Sequence, residues 1–456
     1  MTLHPWLYRR HTAFVVGLLA VALLATVVLY RQALLTPFDG DETGWISSGV
    51  YYTDLLLARD FAWEKWQCRA CGPWGGLNMP LGKWAIGAPL KLYYAATPGA
   101  APFMRFYDFE RSLAQNQAEG RVPPADVLRV ARLACAAFGV LCCLLLFCLG
   151  FWWVNWATGL LAAVLLLATD GFVQQATRAM TDVHYLSFLL AGCLAAGLLV
   201  KRSGRRAHLT TSTLAGLCAG LACAVKVTGI AVGGLIFLAL LAYVVALHRI
   251  SLRAALRHAA LFVVVAVVTV YLLNPFFWPN WQQLDAMALL GETRSLLTAV
   301  VSGQLGSGQI SQSYPQVGNL AHIAEFPQMF LRWRTFMQTQ LPIGNWTEPR
   351  LLAIHRSLFV NLAAFPFEWV LLLIGAAAAG RRVIAAWRRA QTAPALAPLV
   401  FFAVNYLFVL FLVQLNWPRY YLPTAVAGKL LVAYGIVVVF EGLVGLVRRR
   451  PVPGSL

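Results

Sequence analysis

Charged side chains are scarce in this sequence, and acidic ones are the scarcest. Only 12% of the 456 residues are charged, with 18 Asp and Glu against 36 Lys and Arg. So little charge excludes a soluble domain of ordinary composition, in which about a quarter of the residues are charged. With 60% hydrophobic residues and a mean hydropathy of +0.67, the chain has the composition of a protein whose main solvent is lipid.

Two further features are missing. No small-residue cleavage site follows the first apolar run, which starts after Arg9 and Arg10, so we expect this helix to be retained. Cysteine shows no metal-binding pattern: seven of the nine lie in apolar runs, where Cys behaves as a small hydrophobe. Cys68 and Cys71 form a lone CxxC, for which we expect a local disulfide rather than a zinc site.

Long apolar runs, by contrast, are abundant. Runs of about 17 to 25 residues are long enough to cross a bilayer as helices. They predict an all-α polytopic membrane protein with about ten spans, a further helix near 84–97, and one integral membrane domain over 1–456. The predicted spans are 13–30, 128–150, 156–172, 183–200, 209–225, 228–247, 256–273, 357–380, 397–415 and 421–446.

The charges predict an orientation. Clusters of Arg and Lys fall on one side of the predicted map, which marks that side as cytoplasmic and places both termini there, in a plasma (inner) membrane. The net charge of +18 then indicates anionic lipid headgroups as partners rather than nucleic acid. Every Asp and Glu except Glu368 and Glu441 lies on the outer side or at an outer helix mouth, so carboxylate chemistry is expected to face outward. The basic clusters are 9–10, 201–206, 249–257, 381–389 and 448–450.

Two long outer segments, 31–127 and 274–356, carry most of the polar sequence. Near the start of the first, Asp39, Asp41 and Glu42 place three carboxylates at the membrane surface, which costs solvation free energy unless water, a metal or a substrate meets them. They are the first candidates for catalysis. The alternative for any one of them is capping of the helix that follows, but capping does not account for all three.

That following helix, predicted at Thr43 to Arg59, has an apolar stripe and is expected to lie flat on the outer leaflet. Further along the chain, several polar residues stand at outer helix ends, where they are expensive in lipid without a partner. Lys83 begins a helix after Pro80-Leu81-Gly82, with snorkelling as its alternative, and Arg178 and Asp182 have the spacing of a simple helical ion pair. The remaining candidates are Arg132, Lys226, Arg419 and Tyr420.

The order of these motifs resembles that of the family 39 glycosyltransferases, the protein O-mannosyltransferases and their bacterial relatives in the GT-C superfamily. An acidic pair after the first helix is followed by Pro-Leu-Gly-Lys, an Arg-Leu with a later Phe-Gly, Arg-x-x-x-Asp, Lys-x-x-Gly and Arg-Tyr-x-x-Pro. The likeness covers roughly 10–430 and implies a GT-C-type helical bundle. It departs from the family in Asn78-Met79 before Pro80, and no large soluble domain interrupts the second outer segment.

The resemblance implies an inverting transfer of a hexose or pentose from a polyprenyl-phosphate sugar to a hydroxyl of a lipid, glycan or protein acceptor. The catalytic acid falls on Asp41 with Glu42 beside it, or on Asp39, because the family's Phe-Asp-Glu is here Phe38-Asp39-Gly40-Asp41-Glu42. Donor phosphate binding is expected from Arg132, Arg178, Lys226 and Arg419, and substrate binding from Lys83, Asp182 and Tyr420. No cofactor is predicted, although three acids are ligands that a divalent cation accepts.

A transporter or lipid flippase is the main alternative, since several spans with buried charges are also typical of carriers. Against it, these charges cluster at the outer helix ends and no internal repeat is visible. A different GT-C activity, such as aminoarabinose transfer to lipid A or glycosylation in the cell envelope, also fits the motifs.

Overall fold

A computed structural model describes residues 5–66, 79–97, 103, 105–201, 204–275, 365–412 and 418–448. Every regular element within these ranges is helical, which confirms the predicted all-α fold. The helices are α1 (Pro5–Leu35), α2 (Gly40–Leu57), α3 (Trp63–Trp66), α4 (Pro80–Ala96), α5 (Leu113–Ala118), α6 (Ala125–Trp153), α7 (Trp156–Leu167), α8 (Asp170–Ala176), α9 (Asp182–Lys201), α10 (Arg205–Cys223), α11 (Thr228–Ala246), α12 (Leu252–Leu272), α13 (Phe365–Arg388), α14 (Leu396–Leu412), a 3-10 helix (Pro418–Tyr421) and α15 (Leu422–Arg448).

Most of the predicted spans coincide with single helices. Among the described helices, α1, α6, α9, α11, α12, α13 and α15 are long and apolar enough to cross a membrane, which makes seven. The run predicted as one span at 156–172 is instead two helices, α7 and α8, with a bend of 73° between them. The break lies at Thr169, whose hydroxyl donates to the Leu165 carbonyl at 2.7 Å, and Asp170 then starts the second helix, where the helix dipole favours an acid.

The core forms where α6 packs against α1, α4, α7 and α9, and further helices enclose this group. Side chains such as Ala131, Cys135, Cys142 and Leu146 are fully buried and recur with helical spacing along one face of α6. Their small volumes allow the neighbouring helices to approach closely, since dense packing stabilises helix association within lipid. The C-terminal ends of α1 and α8 and the N-terminal part of α6 meet at the start of α2.

The prediction that α2 lies flat on the membrane surface is wrong, because protein rather than lipid surrounds this helix. α2 begins at Gly40 rather than Thr43, and protein covers it on several sides: Trp45, Ile46 and Val50 are buried, and so are Ser47 and Ser48. Its apolar stripe meets other helices, chiefly α4, instead of lipid. The polar serines are tolerated there because Ser48 donates to the Gly44 carbonyl and Ser47 to the Arg105 carbonyl.

Glycine allows α2 and α4 to cross at backbone distance. A Cβ atom on Gly87 would lie 2.0 Å from the Gly49 carbonyl oxygen and 2.3 Å from the Thr53 hydroxyl. No side chain fits at such a distance, so the crossing requires glycine at this position. The contact fixes the direction in which α2 presents its N-terminal acids.

Candidate active site

The three acids sit at the N-terminus of α2, and local chemistry explains why the helix starts there. Asp39 is the N-cap: its carboxylate accepts from the Asp41 backbone N–H at 3.1 Å. Glu42 reaches back and accepts from the Asp39 backbone N–H at 3.1 Å, which completes a capping box. Capping therefore involves the side chains of Asp39 and Glu42, whereas the Asp41 carboxylate takes no part in it.

Glu42 and Arg132 form a buried ion pair beneath the site. The guanidinium of Arg132 contacts both carboxylate oxygens, at 2.8 and 2.6 Å, and Glu42 is fully buried. Glu42 also accepts from the Ala179 backbone N–H at 2.8 Å. The other guanidinium donors of Arg132 bind carbonyl oxygens at the end of α1 and just after it, in Ala33, Thr36 and Pro37. With its donors bound to protein atoms, Arg132 joins α1, α2 and α6, and the expectation that it binds donor phosphate stays a prediction.

Asp39 and Asp41 form two further ion pairs that are partly open to solvent. Arg178 lies 2.8 Å from Asp39, and Arg419 lies 2.7 Å from Asp41. The side chain of Asp41 keeps 19% of its surface exposed and that of Arg419 keeps 11%, whereas Glu42 keeps none. A ligand can therefore reach the carboxylate of Asp41 but not that of Glu42.

Asp182 and Lys226 provide a fourth pair, with 2.5 Å between the carboxylate and the ammonium. Two aromatic rings flank this cation: the Lys226 ammonium lies 5.1 Å from the ring centre of Tyr420 and 6.0 Å from that of Tyr185. The Arg419 guanidinium lies 5.8 Å from the same Tyr420 ring. Because cations are attracted to aromatic faces, the Tyr420 ring interacts with both Lys226 and Arg419, which belong to two different ion pairs.

The interpretation of Arg178 and Asp182 as a simple helical pair is wrong. α9 begins only at Asp182, so Arg178 lies in the turn between α8 and α9, where helical spacing does not apply. Arg178 pairs with Asp39 and Asp182 pairs with Lys226. The turn thus contributes to two different ion pairs of the site.

Lys83 is fully buried, so the snorkelling alternative is wrong. Its ammonium lies 4.1 Å from the ring centre of Tyr52 on α2, and burial lowers the pKa of Lys83 to about 7. The preceding residues fix its position, since the Leu81 backbone N–H donates to the Ala224 carbonyl at 3.1 Å and Gly82 lies against Thr181. Lys83 therefore belongs to the wall between α2 and the start of α9.

Burial is the main cause that raises the pKa of Asp41 above its ordinary value. The positive charge of Arg419 lowers that pKa, and the negative charge of Asp39 raises it. A carboxylate whose pKa is raised is a stronger base once ionised, and the charge of Arg419 favours the ionised form. This combination suits proton abstraction from a bound hydroxyl group.

Sequence reasoning missed Thr181, which is fully buried beside these residues. Its hydroxyl, and the Nε of Arg178, have no hydrogen-bond partner among the described residues. The sequence signal that could have identified Thr181 is its position directly before Asp182, one of the candidate residues. The second outer segment beyond residue 275, and the CxxC at Cys68 and Cys71, lie outside the described residues.

Comparison with known proteins identifies similar glycosyltransferases. A family model described as dolichyl-phosphate-mannose-protein mannosyltransferase matches residues 107–284, which is less than half of the chain. The resemblance to these glycosyltransferases, predicted from the motifs, is confirmed. Arg132, Arg178, Asp182 and Lys226 lie inside the matched region, whereas the α2 acids lie before it and Arg419 after it. No curated protein matches the chain.

Solved structures show the same fold. The crystal structure of ArnT from Cupriavidus metallidurans, bound to undecaprenyl phosphate, is 16% identical with a TM-score of 0.50, over 95% of this chain and 63% of that one. The oligosaccharyltransferase AglB from Archaeoglobus fulgidus, in complex with an inhibitory peptide and a dolichol-phosphate, is 14% identical with a TM-score of 0.51, over 96% and 52%. The chain has the GT-C fold. It spans between about half and just under two thirds of the length of these structures.

Proposed function

We propose that this chain is an inverting glycosyltransferase that moves a sugar from a polyprenyl-phosphate donor to an acceptor hydroxyl at the outer face of a plasma membrane. The observation that carries the proposal is the arrangement around Asp41. A partly exposed carboxylate stands next to Arg419, and Arg178 and Lys226 lie at the adjoining pairs. A base beside several cations fits a reaction in which a hydroxyl loses a proton and a phosphate gains negative charge.

The charges suggest where the donor phosphate binds. Arg419, Arg178 and Lys226 each retain some exposure, and each is held by a carboxylate that donor phosphate would partly replace. Arg132 is less suited to this role, because its guanidinium already binds Glu42 and three backbone carbonyls. We therefore propose that Arg132 and Glu42 position α2. The three other cations, Arg419, Arg178 and Lys226, would bind the donor phosphate.

The reaction follows as a single displacement. The acceptor hydroxyl gives its proton to the Asp41 carboxylate, and its oxygen forms a bond to the anomeric carbon of the sugar. The bond between that carbon and the phosphate oxygen breaks, and the polyprenyl phosphate leaves with the electron pair. Attack opposite to the leaving group inverts the anomeric configuration. Cations around the phosphate stabilise the charge that develops on it.

The relatives support the substrate class. ArnT was crystallised with undecaprenyl phosphate and AglB with a dolichol-phosphate, and the matched family uses dolichyl-phosphate-mannose. We infer a polyprenyl-monophosphate donor that carries a hexose or pentose, and an acceptor that is a lipid, a glycan or a protein. Asp182, Lys83 and Tyr420 would then contact the substrates.

The test is sugar transfer by the purified protein in lipid nanodiscs, with a panel of radiolabelled polyprenyl-monophosphate sugars. We expect one donor to release both sugar and polyprenyl phosphate, and Asp41→Asn to abolish the release. Asp60→Asn is the matched control, because Asp60 is an acid of the same segment that pairs with Lys65 at the opposite end of α2 from the candidate site. The transporter alternative would replace the proposal if no donor is consumed and lipid crosses proteoliposome membranes equally well in both variants.

A further inference from the structure

The end of the bundle opposite the acids contains an apolar groove. α11 starts at Thr228, two residues after Lys226 of the site, and ends at Ala246, about 28 Å further along the helix axis. α12 then returns from Leu252. α12 packs mainly on α10, whereas α11 packs on α9, α10 and α14, so α11 and α12 make little direct contact with each other.

The groove between them has a volume of about 320 Å³, within the range of small-molecule sites. Leu238, Ala242 and Ala246 line it from α11, and Leu252, Leu256 and Ala259 line it from α12. Both helices are candidate membrane spans, so the groove faces lipid. From Leu238 to Ala246 it follows the helix for about 12 Å, a length suited to part of an acyl chain.

Three arginines lie in or near the connection between α11 and α12, at the end of the groove that Ala246 and Leu252 line. Arg249 lies in the connection between α11 and α12, while Arg253 and Arg257 are exposed on the first turns of α12. Among the described residues none of these three side chains lies in an ion pair, and the Arg249 guanidinium donates to the Ala390 carbonyl at 2.9 Å. The sequence contains no Asp or Glu from Val183 to Leu284, so neither helix provides a carboxylate for them.

We propose that this groove is a binding site for an anionic phospholipid of the leaflet opposite the active site. One acyl chain lies along Ala242, and the phosphate binds between Arg249 and Arg253. Charge complementarity identifies the occupant: the three guanidiniums attract an anionic headgroup, and the lack of nearby carboxylates on α11 and α12 leaves a choline or ethanolamine ammonium without a partner.

Native mass spectrometry of the purified full-length protein tests this proposal. Delipidated protein is titrated with phosphatidylglycerol and with phosphatidylcholine of the same acyl chains. We expect phosphatidylglycerol to bind about tenfold more tightly, and the double variant Arg249→Gln with Arg253→Gln to lose at least about tenfold of that affinity. Ala242→Phe fills the groove without a change of charge and is expected to weaken binding as well.

Arg381→Gln is the control, because Arg381 is an exposed arginine of α13 outside the groove. The proposal is overturned if Arg381→Gln weakens binding as much as the double variant, since any cation would then do. It is also overturned if Ala242→Phe leaves binding unchanged, or if polyprenyl phosphate displaces phosphatidylglycerol from the groove. Thermal unfolding of each variant establishes that the fold persists, and the readout does not depend on glycosyltransferase activity.

Discussion

Asp41 and Glu42 are adjacent in the sequence, yet the protein surrounds their carboxylates differently. Glu42 is fully buried and binds Arg132 and the Ala179 N–H, whereas Asp41 is partly exposed and binds Arg419. A buried carboxylate whose oxygens already bind protein donors stabilises the structure, whereas a carboxylate with exposed surface can contact a substrate. This difference in burial is the basis on which we propose Asp41 as the catalytic base and Glu42 as a positioning acid.

The pH dependence of activity tests the role of Asp41. Since the base must be ionised, activity falls as pH drops through the pKa of Asp41, which burial raises above the ordinary value of an aspartate. Arg419 lowers that pKa, so Arg419→Met is expected to move the acidic limb of kcat/KM to higher pH, and Arg419→Lys to move it less. Asp41→Asn should lower kcat by about 100- to 10,000-fold. An unchanged acidic limb in Arg419→Met would contradict this assignment.

Glu42→Gln tests the buried pair. The substitution leaves the Arg132 charge buried without its counter-ion, and we expect a loss of about 3–5 kcal/mol in the free energy of unfolding. Thermal unfolding in detergent measures it. The double variant Glu42→Gln with Arg132→Met should recover part of the loss, because the buried charge is then removed. Asp60→Asn, in an exposed pair, should leave the unfolding temperature unchanged.

At the scale of elements, the position of the acids depends on how α2 crosses α4. The backbone contact between Gly49 and Gly87 holds α2 close to α4, and α4 also contributes Lys83 to the wall of the site. The bend between α7 and α8 likewise brings Arg178 to Asp39. Helix packing therefore sets the positions of α2 and α4 in the site, and the turn between α8 and α9 contributes Arg178.

Gly87→Ala is the corresponding variant. Its Cβ atom would lie 2.0 Å from the Gly49 carbonyl oxygen, so α2 must move away, at a cost of about 1–3 kcal/mol in stability. Sugar transfer should fall as Asp41 is displaced from Arg419. Gly171→Ala is the control, because nothing lies within 4 Å of the Cβ atom it adds to α8. Equal activity in the two variants would show that the crossing does not position the acids.

At the scale of the whole molecule, the described chain has two chemically distinct ends. α1 ends and α15 begins beside the acids, so Pro5 and Arg448 both lie at the opposite end, together with the Arg residues near 249–257. Among the described residues most carboxylates lie at the first end, with Glu441 as an exception, and Arg249, Arg253 and Arg257 lie at the other end. This polarity is what an oriented membrane protein requires.

Cysteine labelling tests the predicted orientation. Gln117, in the segment joined to α2 by the bond from Thr43 to the Arg121 carbonyl, is exposed at the site end. Gln391, whose carbonyl accepts from Tyr243, is exposed at the opposite end. In intact cells a membrane-impermeant maleimide should label Gln117→Cys and not Gln391→Cys, in a background without Cys68 and Cys71. The reverse pattern would place the active site in the cytoplasm.

The sequence by itself determined the fold class and the positions of most helices, and it named most residues of the candidate site. Apolar runs of membrane length and the segregation of charges are local properties, so composition and pattern are enough to predict them. α2 was misplaced because an apolar stripe predicts a buried face without indicating whether lipid or protein covers it. The run predicted as one straight span at 156–172 is bent into two helices, because Thr169 and Asp170 break it only locally.

Only the tertiary structure decided which charged residues form ion pairs with each other. Asp41 pairs with Arg419 across 378 positions of sequence, and Asp182 pairs with Lys226 across 44, while Arg178, close to Asp182 in sequence, pairs elsewhere. Spacing rules apply within one helix and cannot predict which helix ends meet. Burial also depends on the assembled bundle, so the roles of Glu42 as a positioning acid and Asp41 as a proposed base follow from packing. The sequence identified the acids, and packing determined the burial and the ion-pair partner of each one.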